Sequence, residues 1–230
     1  MSVAVVTGAS MGLGRALATG LAGAGWRLVL DARGRDALEE VRAAIGDAAV
    51  AVPGDVTDPA HRTALVAAAD RLGGADLLVN NAGILGPSPL PELAEYPLSA
   101  LREVYEVNVV APLALIQSAL PGLRERGGAV VTITSDAAVE PYPGWGGYGS
   151  AKAAVEQLSR VLAAEQPSVP VWVVDPGDLR TRMHQEAFPG EDITDRPLPE
   201  TVVPAFLRLL AARPAAGRIR LADLLTEASA

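Results

Sequence analysis

Short apolar runs alternate along the chain with longer stretches in which apolar residues recur every three or four positions. Several short runs, such as 77–79 and 171–174, are apolar almost throughout, which is typical of strands in a parallel sheet covered on both faces. The predicted strands are residues 3–7, 27–31, 48–53, 76–80, 129–134, 169–174 and 217–221. The predicted helices are residues 12–24, 35–45, 59–72, 98–126, 149–165 and 200–212.

Strict alternation of strand and helix predicts an α/β fold, a doubly wound, seven-stranded parallel sheet with helices on both faces. The 230 residues fit one domain spanning residues 1–230. Asp58 and Pro59 form a helix start signal, whereas Pro112 and Pro121 predict a kink or an early end in the long helix. The irregular stretches 83–97, 136–147 and 177–199 follow strand ends, where open α/β sheets bind ligands.

The amino-acid composition excludes several classes of partner and of chemical site. The formal net charge is −8 and the chain has no long run of basic residues, which argues against nucleic acid as the main partner. The absence of cysteine excludes disulfides, thiolate metal sites and cysteine nucleophiles. The two histidines, His61 and His184, are expected at the surface and support no metal site, although His184 could touch substrate. No membrane span or signal peptide is recognised, so a cytoplasmic protein without a membrane partner is expected.

The first predicted strand runs directly into a glycine-rich turn and then into a helix. Glycines let backbone N–H groups approach a pyrophosphate closely, and the helix N-terminus adds partial positive charge at the same place. The alternative is a plain strand–helix turn, and the missing Gly-Lys-Ser/Thr of a P-loop counts against nucleotide hydrolysis. The candidate phosphate-binding residues are Gly8, Ser10, Met11, Gly12, Leu13 and Gly14.

Tyr148 and Lys152 are four positions apart at the start of a predicted helix and should share one face. A free phenol has a pKa near 10, and an ammonium about 5 Å away is expected to lower it by about two units. Ser135 follows a predicted strand whose end meets the same edge of the sheet, where a hydroxyl could hydrogen-bond a substrate oxygen. The alternative is that a Tyr-x-x-x-Lys pair is surface decoration on an ordinary helix.

Four motifs occur in order: the turn at 7–14, Asn80-Asn81-Ala82-Gly83, Tyr148-Gly149-Ser150-Ala151-Lys152, and Pro176-Gly177. Together they resemble the short-chain dehydrogenase/reductase family of NAD(P)-dependent, single-domain oxidoreductases with a Rossmann-type fold. The resemblance spans residues 3–221.

The resemblance implies a role for each member of a catalytic set. Tyr148 would pass a proton to or from the substrate oxygen, and Ser135 would position that oxygen. Lys152 would lower the pKa of the tyrosine and hold the nicotinamide ribose, while Asn108 would support a water-linked proton relay. The alternative for Asn108 is a buried helix asparagine bonded to the backbone. The reaction implied is hydride transfer between nicotinamide and a carbonyl or secondary alcohol.

The residues at the end of the second predicted strand indicate which nicotinamide cofactor, NADP(H) or NAD(H), is preferred. Arg33 could pair with the 2′-phosphate of NADP(H), whereas an acidic residue there would bind the ribose of NAD(H). Asp31 falls one residue before the family's acidic position and should point the other way, so NADP(H) is preferred and NAD(H) is the alternative. Arg33 could also be a solvated surface charge. The resemblance implies further cofactor contacts from Asp55, Val56, Asn80, Asn81, Ala82, Gly83, Tyr148, Lys152, Pro176, Gly177 and Thr181.

Aromatic residues are scarce, so Tyr142 and Trp145, which lie between Ser135 and Tyr148, are candidates for the wall of a substrate pocket. Their alternative is loop packing or a subunit contact. The stretch around 178–199, with Met183, matches the position of the family's substrate lid. The C-terminus departs from the family pattern, which disfavours a tetramer and leaves a homodimer through the long helices.

Two rival functions remain open. A nucleotide-binding regulator that senses NAD(P) without turnover would use the same fold, although it has no need of an intact Ser, Tyr and Lys set. Sugar-nucleotide epimerase or dehydratase chemistry requires an added substrate domain, for which 230 residues leave no room. A small-molecule carbonyl or alcohol is therefore the expected substrate.

Overall fold

The computed structural model describes residues 1–226, and the apolar runs form the strands that their pattern predicts. The strands are β1 Val3–Val6, β2 Arg27–Ala32, β3 Ala49–Pro53, β4 Leu77–Asn80, β5 Ala129–Ile133, β6 Val171–Asp175 and β7 Gly217–Arg220. The helices are α1 Gly12–Gly23, α2 Arg35–Ile45, α3 Pro59–Arg71, α4 Leu98–Tyr105, α5 Ala111–Arg126, α6 Gly146–Glu165, α7 Arg182–Ala187, α8 Val203–Ala212 and α9 Leu221–Thr226. All strand pairs are parallel, in the order β3-β2-β1-β4-β5-β6-β7.

Alternate side chains of each strand enter two separate cores, because successive Cβ atoms point to opposite faces of a sheet. In β1, Ala4 and Val6 pack in the core that holds Leu17 of α1 and Phe206 of α8. Val3 and Val5 of the same strand face the other core, built on α3 and α5. Both faces are thus covered, which confirms the doubly wound α/β fold and explains the continuous apolar runs.

The direction in which strands are added reverses between β1 and β4, which lie side by side at the centre. The chain first builds outward to β3 and then returns through α3 to β4. The loops after β1 and β4 therefore leave the sheet in different directions and open a crevice at its carboxyl edge. This is the place at which doubly wound sheets bind ligands.

The long helix does not end early at Pro112 or Pro121. The helix runs without interruption from Leu98 to Arg126, and a π-helical turn at Glu106–Val110 joins α4 to α5. Pro112 has no N–H to donate to the preceding turn, and its ring would clash with a carbonyl of that turn in a regular α-helix. The wider π-helical turn before Pro112 relieves this clash. By length and composition this helix could cross a membrane, yet 44% of its apolar window is buried. It packs in the core beneath the sheet.

Local boundaries differ from the predicted ones at two places near the crevice. Helix α6 begins at Gly146, three residues earlier than predicted, so Tyr148 lies inside its first turn. The stretch 177–199, predicted to be irregular, contains the short helix α7, whose first turn is capped by the Thr181 hydroxyl. The predicted cap at Asp58 is confirmed, with its carboxylate accepting a hydrogen bond from the Ala60 amide at 2.9 Å.

Candidate active site

One large cavity of about 1190 Å³ lies at the carboxyl edge of the sheet. Its floor is the crevice between β1 and β4, and its walls come from the loops after β2, β3, β5 and β6. The cavity exceeds the range of roughly 300–1,000 Å³ for small-ligand sites, so it can hold a large ligand together with a smaller one. The sequence-predicted residues that line it are Gly8, Ser10, Met11, Gly12, Leu13, Gly14, Arg33, Asp55, Val56, Asn81, Ala82, Gly83, Ser135, Tyr142, Trp145, Tyr148, Lys152, Pro176, Gly177, Thr181 and Met183.

The glycine turn after β1 is fixed by the neighbouring end of β4. The Asn81 side chain donates to the carbonyl oxygens of Thr7 at 2.8 Å and Gly8 at 3.2 Å. The Thr7 hydroxyl in turn accepts from the backbone amides of Asn81 and Ala82, both at 3.0 Å. The two strand ends on either side of the crevice are therefore tied into one rigid unit.

Two glycines of this turn are required by geometry. Gly8 has a φ of +65°, and a Cβ there would lie 2.9 Å from the Cα of Ala82. A Cβ at Gly14 would collide with the carbonyl oxygen of Gly8 and the side chain of Asn81. The turn thus brings bare backbone to the cavity at the N-terminus of α1, where no side chain caps the first amides. Such a cradle fits the pyrophosphate of a dinucleotide.

Replacing Gly14 with Ala is expected to destabilise the protein by about 1–3 kcal/mol, because the new methyl group overpacks a turn made of backbone. Gly23 in the same helix offers a matched control, since no atom lies within 4 Å of a Cβ built there. Gly23→Ala should leave stability unchanged or raise it by up to about 1 kcal/mol. Urea unfolding of both variants measures the difference, and equal stabilities would contradict this account of the turn.

Asp31, near the end of β2, is buried, and its carboxylate already has hydrogen-bond partners. Its carboxylate contacts His61 Nε2 at 2.6 Å and accepts a long hydrogen bond of 3.4 Å from the Gly8 amide. Burial raises the pKa of Asp31, although the hydrogen bond and the charge of His61 oppose that rise. Arg33 is exposed at the cavity edge beside Asp55, whose carboxyl pKa is lowered first by the hydrogen bond from the Thr57 amide.

The surface position predicted for His61 is wrong. His61 is only 7% exposed and lies on the buried face of α3 with Leu65 and Ala68. This spacing of four and seven residues was the available sequence signal. His184, also expected at the surface, is half-buried and lines the cavity.

Ser135, Tyr148 and Lys152 meet in the cavity beyond the glycine turn. Ser135 follows β5, and its hydroxyl donates to the Asp136 carboxylate at 2.9 Å. Tyr148 and Lys152, on consecutive turns of α6, are 8% and 5% exposed. Lys152 Nζ lies 5.4 Å from the centre of the Tyr148 ring and donates to the carbonyl oxygen of Ile133 at 2.9 Å. The predicted pair thus faces the cavity rather than the surface.

Burial dominates the electrostatics of this pair. It raises the pKa of the Tyr148 phenol, and the negative charges of Asp136 and Asp175 raise it further. Burial lowers the pKa of Lys152 to about 8, against the opposing effect of Glu156. The phenol is therefore protonated at neutral pH, opposite to the lowered pKa expected from an ammonium nearby. The expectation counted only the attraction between the ammonium and a phenolate, whereas here burial disfavours the charged form of both groups.

Lys152 is the one lysine in the sequence; the other 18 cationic side chains are arginines. Arginine serves for surface charge and ion pairs, but its guanidinium does not titrate near neutral pH. A chain that uses arginine everywhere else keeps lysine at the position where a compact, titratable amine faces Tyr148. This compositional signal was missed in the sequence, and it singles out Lys152 more sharply than the Tyr-x-x-x-Lys spacing does.

Replacing Lys152 with Met is expected to raise stability at neutral pH. The folded-state pKa of about 8 lies below the unfolded value of 10.5, so the buried ammonium destabilises the fold fully below pH 8. This cost fades as pH rises from 8 to 10.5, so the advantage of the variant should shrink by about 2 kcal/mol between pH 7 and pH 10. Unfolding free energies of both proteins at the two pH values test this, and a constant difference would contradict it.

The structure does not place Asn108 or Asn80 in the cavity wall. Asn108 is buried in the π-helical turn, where its side chain accepts from the Ile84 amide at 2.9 Å and donates to the Ile84 carbonyl at 2.8 Å. These two hydrogen bonds order the loop after β4. Asn80 is buried at the end of β4 beside a separate small void.

The far end of the cavity is aromatic and apolar. The Trp145 ring lies 5.9 Å from Tyr148 and 6.0 Å from Phe188, measured between ring centres. Met183 and His184 of α7 line the same end, and His184 stacks against Phe188 at 4.9 Å. Helix α7 therefore forms part of the cavity wall at the end where Trp145 contacts Tyr148. Asp136, which directly follows Ser135, was not predicted as a site residue.

A family model described as short chain dehydrogenase matches residues 2–192 of this chain. The chain is 35% identical over 181 residues to serine 3-dehydrogenase of Rhizobium radiobacter, covering 77% of this chain and 72% of the relative. An alcohol dehydrogenase of Thermococcus sibiricus, solved with 5-hydroxy-NADP, superposes with a TM-score of 0.86 at 29% identity, covering 96% of this chain and 95% of that one. A 3-ketoacyl-(acyl-carrier-protein) reductase of Brucella melitensis, solved with NADH, gives a TM-score of 0.86 at 28% identity, covering 95% and 96%.

Proposed function

Because the chain belongs to the short-chain dehydrogenase/reductase family, and is thus an oxidoreductase of CH–OH and C=O groups, we propose that it reduces small carbonyl compounds with NADPH and that Tyr148 donates the proton. The observation that carries this proposal is the position of the buried Tyr148 phenol, with Lys152 Nζ 5.4 Å from the centre of its ring. The phenol lies at the inner end of a dinucleotide-sized cavity, next to Lys152 and Ser135. When bound, the nicotinamide nucleotide supplies the hydride.

Tyr148 suits the direction of reduction. A raised pKa keeps its proton in place at neutral pH, and the negative charges of Asp136 and Asp175 disfavour a phenolate. Oxidation of an alcohol would need the opposite state, a phenolate that accepts a proton. The forward reaction is therefore expected to run at neutral pH, and the reverse reaction only at higher pH.

Ser135 and Lys152 position the reacting groups. Ser135 follows β5 directly, so its hydroxyl can turn from Asp136 to a carbonyl oxygen held near Tyr148. Lys152 reaches past the phenol ring to the Ile133 carbonyl, which places its ammonium beside the Gly83 backbone. From there the ammonium can hold a ribose hydroxyl and replace the proton that the phenol gives up.

The residues that would hold the nucleotide come from several loops that line the cavity. The turn at residues 8–14 fits the pyrophosphate, Asp55 and Val56 the adenine, and the segment from Pro176 to Thr181 the nicotinamide carboxamide. The preference for NADP(H) is supported by Arg33, whose exposed guanidinium at the cavity edge can pair with a 2′-phosphate. Asp31 also lines the cavity, but its carboxylate already bonds His61 and, over a longer distance, the Gly8 amide, which makes it less suited to bind NAD(H).

The substrate end supports ketones with an apolar or aromatic substituent. Its wall is formed by Leu85, Trp145, Met183 and Phe188, with the Tyr142 hydroxyl bonded to Asp136 at 3.0 Å on one side. Burial of such a substituent against these side chains would supply the binding free energy and exclude water from the reacting oxygen.

A panel of ketones, diketones and secondary alcohols, followed by NADPH absorbance, tests the proposed reaction. We expect reduction of aromatic and apolar ketones, with a lower KM for NADPH than for NADH. A lower KM for NADH would overturn the cofactor preference. Tight NADPH binding without turnover across the panel would instead favour the NAD(P)-sensing regulator.

A homodimer through the long helices remains our proposal for the assembled state, in the cytoplasm. It is supported by exposed apolar side chains on these helices: Val110 at the junction of α4 and α5 is 47% exposed, and Val161 of α6 is 44% exposed. Apolar surface on neighbouring helices is typical of a subunit interface.

A further inference from the structure

A network of buried charges lies directly behind the proton-donating pair. Arg218 of β7 donates through Nε to Glu156 at 3.1 Å and through Nη2 to Asp175 at 2.8 Å. The Glu156 and Asp175 side chains are only 2% and 8% exposed, and that of Arg218 is 21% exposed. Buried carboxylates are unfavourable unless they are paired and hydrogen-bonded; Arg218 pairs with both, and Arg160 also pairs with Glu156.

The same network holds the end of β5 residue by residue. Lys152 donates to the carbonyl oxygen of Ile133 at 2.9 Å, and the Thr134 hydroxyl donates to Glu156 at 2.7 Å. Arg218 then donates to the carbonyl oxygen of Ser135 at 3.2 Å. Three successive residues, the last of them Ser135, are thus fixed from behind by side chains of α6 and β7.

We propose that Arg218 is a positioning residue of the active site, which fixes Ser135 and supplies the positive charge that balances two buried carboxylates. The inference rests on the proposed function, because it concerns the proton-donating pair of that reaction. Arg218 does not line the cavity, so it acts through Glu156, Asp175 and the backbone of Ser135.

Two buried carboxylates next to Tyr148 and Lys152 influence the pKa values of this pair. Glu156, one turn beyond Lys152 on α6, raises the pKa of Lys152, and Asp175 raises the pKa of Tyr148. The charged groups around the pair are Glu156 and Arg160 from α6, Asp175 from β6, Arg218 from β7 and Asp136 from the turn after β5. Removing Arg218 leaves the carboxylates less compensated, which raises both pKa values.

Because Lys152 is the single lysine of the sequence, its titration can be measured without any enzymatic reaction. Protein labelled with [ε-¹³C]lysine gives one lysine NMR signal, whose shift reports the protonation of Lys152 in the absence of substrate and nucleotide. In Arg218→Met we expect the titration midpoint to rise by about one pH unit. Arg220→Met is the matched control, because Arg220 lies on the same strand but is exposed, and its midpoint should equal that of the wild type.

Kinetic measurements distinguish a positioning role of Arg218 from a general effect of its replacement on folding. Arg218→Met should lower kcat for ketone reduction about tenfold through misplacement of Ser135, and should move the pH profile of kcat upward. The dissociation constant for NADPH should stay unchanged, and Arg218→Lys should restore part of kcat because it keeps the charge. A folded Arg218→Met protein with the wild-type titration midpoint and pH profile would overturn the proposal.

If Arg218→Met fails to fold, a second variant that should shift the Lys152 titration midpoint in the opposite direction tests the proposal. Glu156→Gln keeps the shape of the side chain and removes a negative charge, so the Lys152 midpoint should fall below that of the wild type. An unchanged midpoint in Glu156→Gln would contradict the inference. If the midpoints move as expected but no ketone is reduced, the proposed function fails while the charge network stands.

Discussion

Tyr148→Phe is expected to lower kcat for NADPH-dependent ketone reduction by about 10³-fold. The phenol lies beside Lys152 in the cavity, and phenylalanine keeps the ring while it removes the proton. The packing of the ring against Trp145 is retained, so the dissociation constant for NADPH and the melting temperature should change little.

Tyr105→Phe provides the control for the loss of a tyrosine hydroxyl elsewhere. Tyr105 lies at the end of α4, outside the cavity wall, and its replacement should leave kcat within about twofold of the wild type. Steady-state kinetics and NADPH fluorescence titration measure both variants. Turnover of Tyr148→Phe near the wild-type rate would show that another group donates the proton.

The second large effect is expected at Arg33. A charge-assisted hydrogen bond to a 2′-phosphate stabilises binding by about 1.5–3 kcal/mol, so Arg33→Ala should lower kcat/KM for NADPH by about 10- to 100-fold. The value for NADH should stay nearly constant, because NADH lacks that phosphate. The preference between the two nucleotides would then disappear or reverse.

Arg35→Ala removes the same charge two residues later, at the exposed start of α2. This control should retain the preference for NADPH if direct pairing, rather than the general positive field, selects the nucleotide. Equal losses in both variants would point to the field. An unchanged ratio of kcat/KM values in Arg33→Ala would remove Arg33 from the cofactor site.

Features with a strong local pattern were predictable from the sequence. The parallel sheet follows from apolar runs that are buried on both faces, and the crevice follows from the loops at the carboxyl edge. The glycine turn and the pair of Tyr148 and Lys152 were found because short-range spacing sets their geometry. The cavity accordingly contains almost every residue that the sequence proposed.

Features that depend on contacts distant in sequence were not predictable. Asp31 meets His61 across 30 residues, and Arg218 meets Glu156 across 62, so no local spacing announces either pair. The direction of the Tyr148 pKa was missed for a related reason, because it depends on how completely the packed fold excludes water from the phenol and the ammonium. Asn108 was placed by its position in the helix, but only the fold shows that Ile84 takes both ends of its amide.

The proposed reaction is tested most directly with NADPH that carries deuterium in place of the transferred hydrogen. After incubation with an aromatic ketone, the account predicts an alcohol with deuterium on the carbinol carbon, formed by the wild type and about 10³-fold more slowly by Tyr148→Phe. Mass spectrometry of the product distinguishes the outcomes. Loss of NADPH without deuterium in the alcohol, or no alcohol from any ketone despite tight NADPH binding, would contradict carbonyl reduction by this protein.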